Sequence, residues 1–87
     1  MKFKLNESCI LSKFEDGLLV LNVETGKYLE LNCMAAEIIQ YLKENLAIDE
    51  IIQKLHQSYS ESEKEISKQV HLFLDSAQKQ KIISPKN

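Results

Sequence analysis

The sequence predicts an α+β domain that resembles a winged helix, with a three-stranded antiparallel sheet followed by three helices. Both glycines, Gly17 and Gly26, lie in the first third of the chain, and positions 27–84 contain neither glycine nor proline. Short apolar runs fill the first third, whereas apolar residues recur with helical spacing afterwards. A chain of 87 residues can bury one small core, so we expect a single domain over residues 1–87.

A β-hairpin is predicted near the amino terminus. Residues 9–14 and 18–23 are rich in Ile, Leu, Val and Phe, which favour strands. Between them stands Asp16-Gly17, a dipeptide that readily adopts the backbone angles of a tight turn. These two segments should therefore pair as antiparallel neighbours.

A third strand is predicted at residues 27–31, after a turn at Glu24-Thr25-Gly26. The glycine can take the left-handed conformation that closes such a turn. Polar and apolar residues then alternate, as in a strand with one buried face. We expect Leu29 and Leu31 to face the core, with Tyr28 and Glu30 on the other face, and we expect this strand to lie at a sheet edge.

Three amphipathic helices are predicted after the strands. The first, about residues 33–44, follows Asn32, which is a good N-cap residue. The second runs over about 48–57, and the third follows a capping box at Ser60 and Glu63 and ends near Lys81. Residues 84–87 are predicted to be a frayed tail. The apolar stripe of the third helix consists of Ile66, Val70, Phe73, Leu74 and Ala77.

Composition excludes several classes of protein. Apolar residues make up 44% of the chain and charged residues 28%, as in ordinary soluble domains. The net charge of −2 does not favour nucleic acid or anionic membranes as partners. No apolar run is long enough to span a bilayer or act as a signal peptide. The two cysteines, Cys9 and Cys33, do not form a disulfide framework, so we expect a cytoplasmic protein.

No catalytic or metal-binding arrangement is visible in the sequence. His56 and His71 lie in separate predicted helices, and neither has a zinc-site spacing to Cys9 or Cys33. Two glycines are too few to shape a phosphate loop. We therefore expect no metal, no cofactor and no enzymatic activity.

The segment Thr25-Gly26-Lys27-Tyr28-Leu29-Glu30-Leu31-Asn32 carries a pattern, T-G-x-Y-x-x-L-N, that resembles the PqqD-like family, also called the RiPP recognition element. The resemblance extends from the preceding strand to Ile82-Ile83 and so covers nearly the whole chain. Gln80-Lys81 departs from the family pattern, which often has a glycine before the final apolar pair. The first helix likewise lacks the tryptophan that the family often places there.

The resemblance implies that the chain binds the leader segment of a ribosomally made precursor peptide without catalysing a reaction. The leader would add as a strand beside residues 27–31 and place side chains in a groove toward the third helix. The implied partner enzyme is a leader peptidase or a radical-type modifying enzyme of natural-product biosynthesis. Lasso peptides are one candidate among the product classes, which the sequence leaves open. The peptide-binding residues we expect are Lys27, Tyr28, Leu29, Glu30, Leu31, Gln69, Leu72, Phe73 and Ser76.

Leu72 carries most of the groove hypothesis. At about 100° per residue it falls beside the core stripe of the third helix, near Gln69 and Ser76. An isolated surface leucine would need no explanation. Beside an edge strand, however, it would form an apolar wall with Phe73.

Two other functions remain open from the sequence. A winged-helix transcription regulator would need a DNA-binding helix, yet acidic and basic residues balance on the third helix, which is poor for phosphate contact. The chain could also be a structural subunit of a larger enzyme, with no peptide ligand of its own.

Overall fold

The computed structural model describes residues 2–15 and 17–86. In chain order the elements are β1 (Phe3–Leu5), β2 (Cys9–Phe14), β3 (Gly17–Asn22), β4 (Tyr28–Leu31), α1 (Cys33–Lys43), α2 (Ile48–Ser58), α3 (Glu63–Lys79) and β5 (Ile83–Pro85). The predicted three-strand, three-helix order is confirmed as β2 to α3. Asp16 of the predicted turn lies outside the described residues.

The main sheet has the order β2-β3-β4 and is antiparallel throughout. Residues directly opposite each other on neighbouring strands share a face of the sheet. The inner face includes Val20, which pairs with Leu11 on one side and Leu29 on the other, and this face packs on the core. The predicted inward direction of Leu29 and Leu31 is thereby confirmed.

A second, two-stranded sheet joins the two ends of the chain and was not predicted. β1 pairs with β5 in the register Phe3 to Pro85 and Leu5 to Ile83. The prediction of a frayed tail over residues 84–87 is therefore wrong for Ser84 and Pro85, while Asn87 lies outside the described residues. Segments of three residues are too short to show a period, so their pairing depends on contacts between distant parts of the chain.

The helix starts follow local hydrogen bonding. Asn32 caps α1 as predicted, because its Oδ1 accepts from the Ala35 amide at 2.8 Å. The cap of α3 is Ser62, whose hydroxyl accepts from the amide of Glu65 at 3.2 Å. The predicted Ser60–Glu63 capping box is therefore wrong. Two overlapping Ser-x-x-Glu patterns occur here, and sequence spacing alone does not choose between them.

The core lies between the inner sheet face and the three helices and is dominated by isoleucine. Ile38, Ile51, Ile66 and Ile82 are almost completely buried. On α3 the predicted stripe is buried except for Phe73, which is half-buried. None of the helices in the described part of the chain is long and apolar enough to cross a membrane.

Candidate functional site

β4 lies at an edge of the main sheet. Within residues 2–15 and 17–86 it pairs only with β3, so the backbone groups along its other side have no strand partner. Tyr28 is 57% exposed and Glu30 is also exposed, whereas Leu31 is buried. Lys27 is exposed and directly precedes the strand. The prediction of an unpaired edge is confirmed, and such an edge can pair with an extended peptide.

The turn before β4 explains the T-G pair of the motif. Gly26 has a φ of 76°, a left-handed conformation that side chains disfavour. The Thr25 hydroxyl accepts from the amide of Lys27 at 3.1 Å, which fixes the chain as it enters β4. Both residues thus set the direction of the edge strand.

Asn22 is a buried polar residue that the sequence analysis did not single out. It is 3% exposed, and its Oδ1 accepts from the amides of Glu24 at 2.9 Å and Thr25 at 3.2 Å. Its Nδ2 donates to the Lys81 carbonyl at 2.7 Å. Asn22 therefore connects the turn before β4 to the chain just after α3. An asparagine at the end of an apolar strand, three residues before Thr25-Gly26, was the signal available in the sequence.

Lys81 adopts a left-handed conformation, with a φ of 63°. This conformation costs free energy for a residue with a Cβ atom and is the reason glycine is favoured at such positions. The carbonyl of Lys81 accepts from the side chains of both Asn6 and Asn22. The two amide side chains hold the strained residue in place, so the glycine is not required here.

A shallow groove of about 210 Å³ lies between α1 and α3. Three of the predicted residues, Gln69, Leu72 and Phe73, line it from α3. The opposite wall comes from α1 and its cap, and consists of Asn32, Met34, Ala35 and Ile38. The lining contains no charged side chain, so the groove suits an uncharged side chain.

Other predicted residues lie outside this groove. Ser76 is exposed and is not part of the lining, and neither are residues 27–31 of the edge strand. The groove instead begins at Asn32, directly after the end of β4. The wall residues Met34 and Ile38 were missed because both are buried apolar residues of α1, and a buried apolar position on a helix gives no indication that it reaches a groove.

Leu72 stands on a ridge between two depressions. It is 59% exposed and lines the groove on one side. On its other side it lines a second depression of about 460 Å³, together with Phe3, Ile48, Lys68, His71, Leu74, Asp75 and Gln78. An exposed leucine between two concave surfaces is well placed to contact a ligand. In this it differs from an isolated surface leucine, which would need no functional explanation.

The histidines and cysteines are spread over the molecule. His71 Nδ1 donates to the Ser67 carbonyl at 2.8 Å, and His56 is exposed on α2. The Cys9 thiol donates to the Ile82 carbonyl at 3.5 Å, and burial raises the pKa of this thiol. Cys33 is exposed at the start of α1. No group of three metal-ligating side chains occurs within the described ranges.

The chain matches one known protein family. The profile of the family described as Coenzyme PQQ synthesis protein D (PqqD) matches residues 17–83, well over half of the chain. The chain belongs to the PqqD family. The resemblance found at the T-G-x-Y-x-x-L-N motif is thereby confirmed. No curated protein matches the chain.

Two solved structures share the PqqD-like fold of this chain. One is described as lasso peptide synthetase B1 complexed with the leader peptide, with a TM-score of 0.88 and 21% identity, and covers 98% of this chain and 100% of that one. The other is TbiB1 in complex with the TbiA(beta) leader peptide, with a TM-score of 0.85 and 19% identity, and covers 97% and 98%. The match over nearly the full length of both chains includes the terminal strands β1 and β5.

Proposed function

We propose that this chain is a noncatalytic recognition domain that binds the leader segment of a ribosomally synthesised precursor peptide and presents it to a separate enzyme. The leader adds as a strand to the free edge of β4. Its partner enzyme is a leader peptidase or a radical-type modifying enzyme. The free cysteines support a reducing, cytoplasmic location.

One observation carries this proposal: the unpaired edge of β4 leads directly into an uncharged groove. Backbone pairing along β4 provides affinity for any extended peptide. The groove formed by Gln69, Leu72 and Phe73 with α1 then selects peptides that carry an uncharged side chain at the matching position. Affinity and selectivity thus come from adjacent parts of one surface.

The comparisons support a leader peptide as the ligand. Both similar structures are described as leader-peptide complexes, and one is a lasso peptide synthetase B1. A lasso-type precursor is therefore the product class that the comparisons favour. On α3, three acidic and three basic residues balance, so no observation favours the alternative of a DNA-binding helix.

Calorimetric titration tests the proposal directly. The candidate precursor is sought as a short open reading frame near the gene of this chain. The probe is its synthetic leader segment, and the control is a scrambled peptide of the same composition. We expect a Kd of about 1 µM or tighter for the leader, or about 8 kcal/mol, and no measurable heat from the scrambled peptide. Equal binding of the two peptides, or no binding of either, would contradict the proposal.

Hydrogen exchange tests whether the leader pairs with the backbone of β4. On leader binding, amide hydrogens of residues 28–31 that have no partner in the free protein should become protected from exchange with solvent. Protection confined to another element would show that the peptide binds elsewhere.

A further inference from the structure

β3 is apolar on both of its faces, which is typical of a strand that is covered on both sides. Leu18 and Val20 point to the inner face and pack on the core. Leu19 and Leu21 point the other way and are not part of the core cluster. Within the described residues, this chain therefore supplies a cover for only one face of the strand.

The uncovered side presents a largely apolar patch that we call the outer apolar face; it consists of Ile10, Ser12, Leu19, Leu21, Tyr28 and Glu30. The register places Ile10, Leu21 and Tyr28 in one row across β2, β3 and β4. Ile10 is 52% exposed and Tyr28 57% exposed. Among the outer positions that the structure describes, only Glu30 is charged. Exposed apolar patches of this kind mark interaction surfaces.

The size of the outer apolar face restricts what can cover it. Three strands about 4.8 Å apart, with up to six residues at about 3.4 Å each, present on the order of 300 Å². A stable interface buries about 800 Å² on each partner. The face is thus too small to hold a second copy of this chain by itself, and it suits a partner that is also held by another link.

The precursor peptide provides that link. Tyr28 belongs both to the outer apolar face and to the β4 edge, so a leader strand on this edge would extend the face by a fourth strand. The segment that follows the leader is then held by the enzyme that acts on it. Two sites joined through one peptide raise the effective concentration of the partners, which makes a weak contact sufficient.

We propose that the outer apolar face is the docking surface for the enzyme that processes the precursor, and that the enzyme contacts it beside the bound leader strand. This inference rests on the proposed function. The enzyme should carry an uncharged, apolar surface at the contact, because the outer apolar face offers a single carboxylate and otherwise mainly apolar groups.

The test compares Ile10→Lys with Gln57→Lys, which adds the same charge at an exposed position of α2. Leader affinity is measured first by titration. Processing of the full precursor is then measured with the candidate peptidase or modifying enzyme identified among the neighbouring genes, at enzyme concentrations below saturation. We expect Ile10→Lys to bind the leader within about twofold of the wild type and to process the precursor about tenfold more slowly, a ratio equivalent to about 1.4 kcal/mol. Gln57→Lys should match the wild type in both assays.

Three outcomes would contradict the docking surface or the proposed function. Unchanged processing with Ile10→Lys overturns the docking surface while leaving leader recognition intact. Failure of the wild type to bind the leader in the first titration overturns the proposed function itself. If sedimentation shows a wild-type dimer that Ile10→Lys abolishes, the face belongs to a second copy and the inference is wrong. Should Ile10→Lys not fold, Ile10→Thr retains strand propensity and should slow processing in the same direction.

Discussion

Leu72→Glu should weaken leader recognition while leaving the stability of the fold nearly unchanged. The side chain is already 59% exposed in the free protein, so its loss removes little from the core. In the proposed complex the peptide covers it. A charged replacement would place a carboxylate in the groove lining, which contains no charged side chain.

The magnitude follows from the exposed fraction. Full burial of a leucine side chain contributes about 1.5–3 kcal/mol, so covering the exposed part contributes roughly 1–2 kcal/mol. Desolvation of the new carboxylate adds to this loss. Leader affinity should therefore fall at least about tenfold, because about 1.4 kcal/mol corresponds to a factor of ten.

Two measurements on two variants provide the assay. Leu72→Glu should weaken leader binding in a calorimetric titration while its urea unfolding midpoint stays near that of the wild type. Leu74, two positions later, is 3% exposed, and Leu74→Ala should lower the free energy of unfolding by about 2–5 kcal/mol. Gln57→Glu on α2 controls for the added charge and should change neither quantity.

The reasoning is refuted by either of two results. If Leu72→Glu unfolds the protein, the side chain contributes to the core in a way that its exposure does not indicate. If leader affinity is unchanged, the groove between α1 and α3 is not the binding surface, and a peptide that binds at all uses another face.

Three further predictions concern the turn, the strained residue and the thiols. Asn22→Ala should lower the free energy of unfolding by about 1–3 kcal/mol, since two turn amides lose their buried acceptor; an unchanged urea midpoint would show that water replaces it. Lys81→Gly should raise the free energy of unfolding by up to about 1 kcal/mol by relieving the left-handed strain, whereas Lys68→Gly, at an exposed position in the interior of α3, should lower it. A thermal unfolding series in which the two variants behave alike would reject this account. Near neutral pH, Cys33 should react with iodoacetamide faster than Cys9, because burial raises the pKa of the Cys9 thiol. The reaction rate of Cys9 should approach that of Cys33 as the pH rises. Peptide mapping at several pH values measures both rates, and faster modification of Cys9 near neutral pH would contradict this account.

The sequence by itself determined the elements whose signals are local. The hairpin, the third strand and the three helices each follow from a period or a turn residue within about a dozen positions. The alternation at residues 28–31 was enough to assign Leu29 and Leu31 to the core and Tyr28 to the other side. Asn32 was identified as a cap because its side chain bonds an amide only three residues away.

Tertiary structure alone decided the features that join distant segments. β1 and β5 pair through residues that are about 80 positions apart in the chain, and three-residue segments carry too few side chains for a period to show. Asn22 and Lys81 meet across 59 positions, so neither reveals its role from its neighbours.

The groove between α1 and α3 has one feature that the sequence predicted and one that only the tertiary structure determined. The angular position of Leu72 on its helix is a local property, and it correctly predicted an exposed leucine. Which helix forms the opposite wall depends on how α1 packs against α3, and this packing brought Met34 and Ile38 into the lining and left Ser76 outside. Periodicity fixes which way a side chain points from its own helix, whereas a concave surface requires the relative placement of two helices, which depends on packing over the whole core.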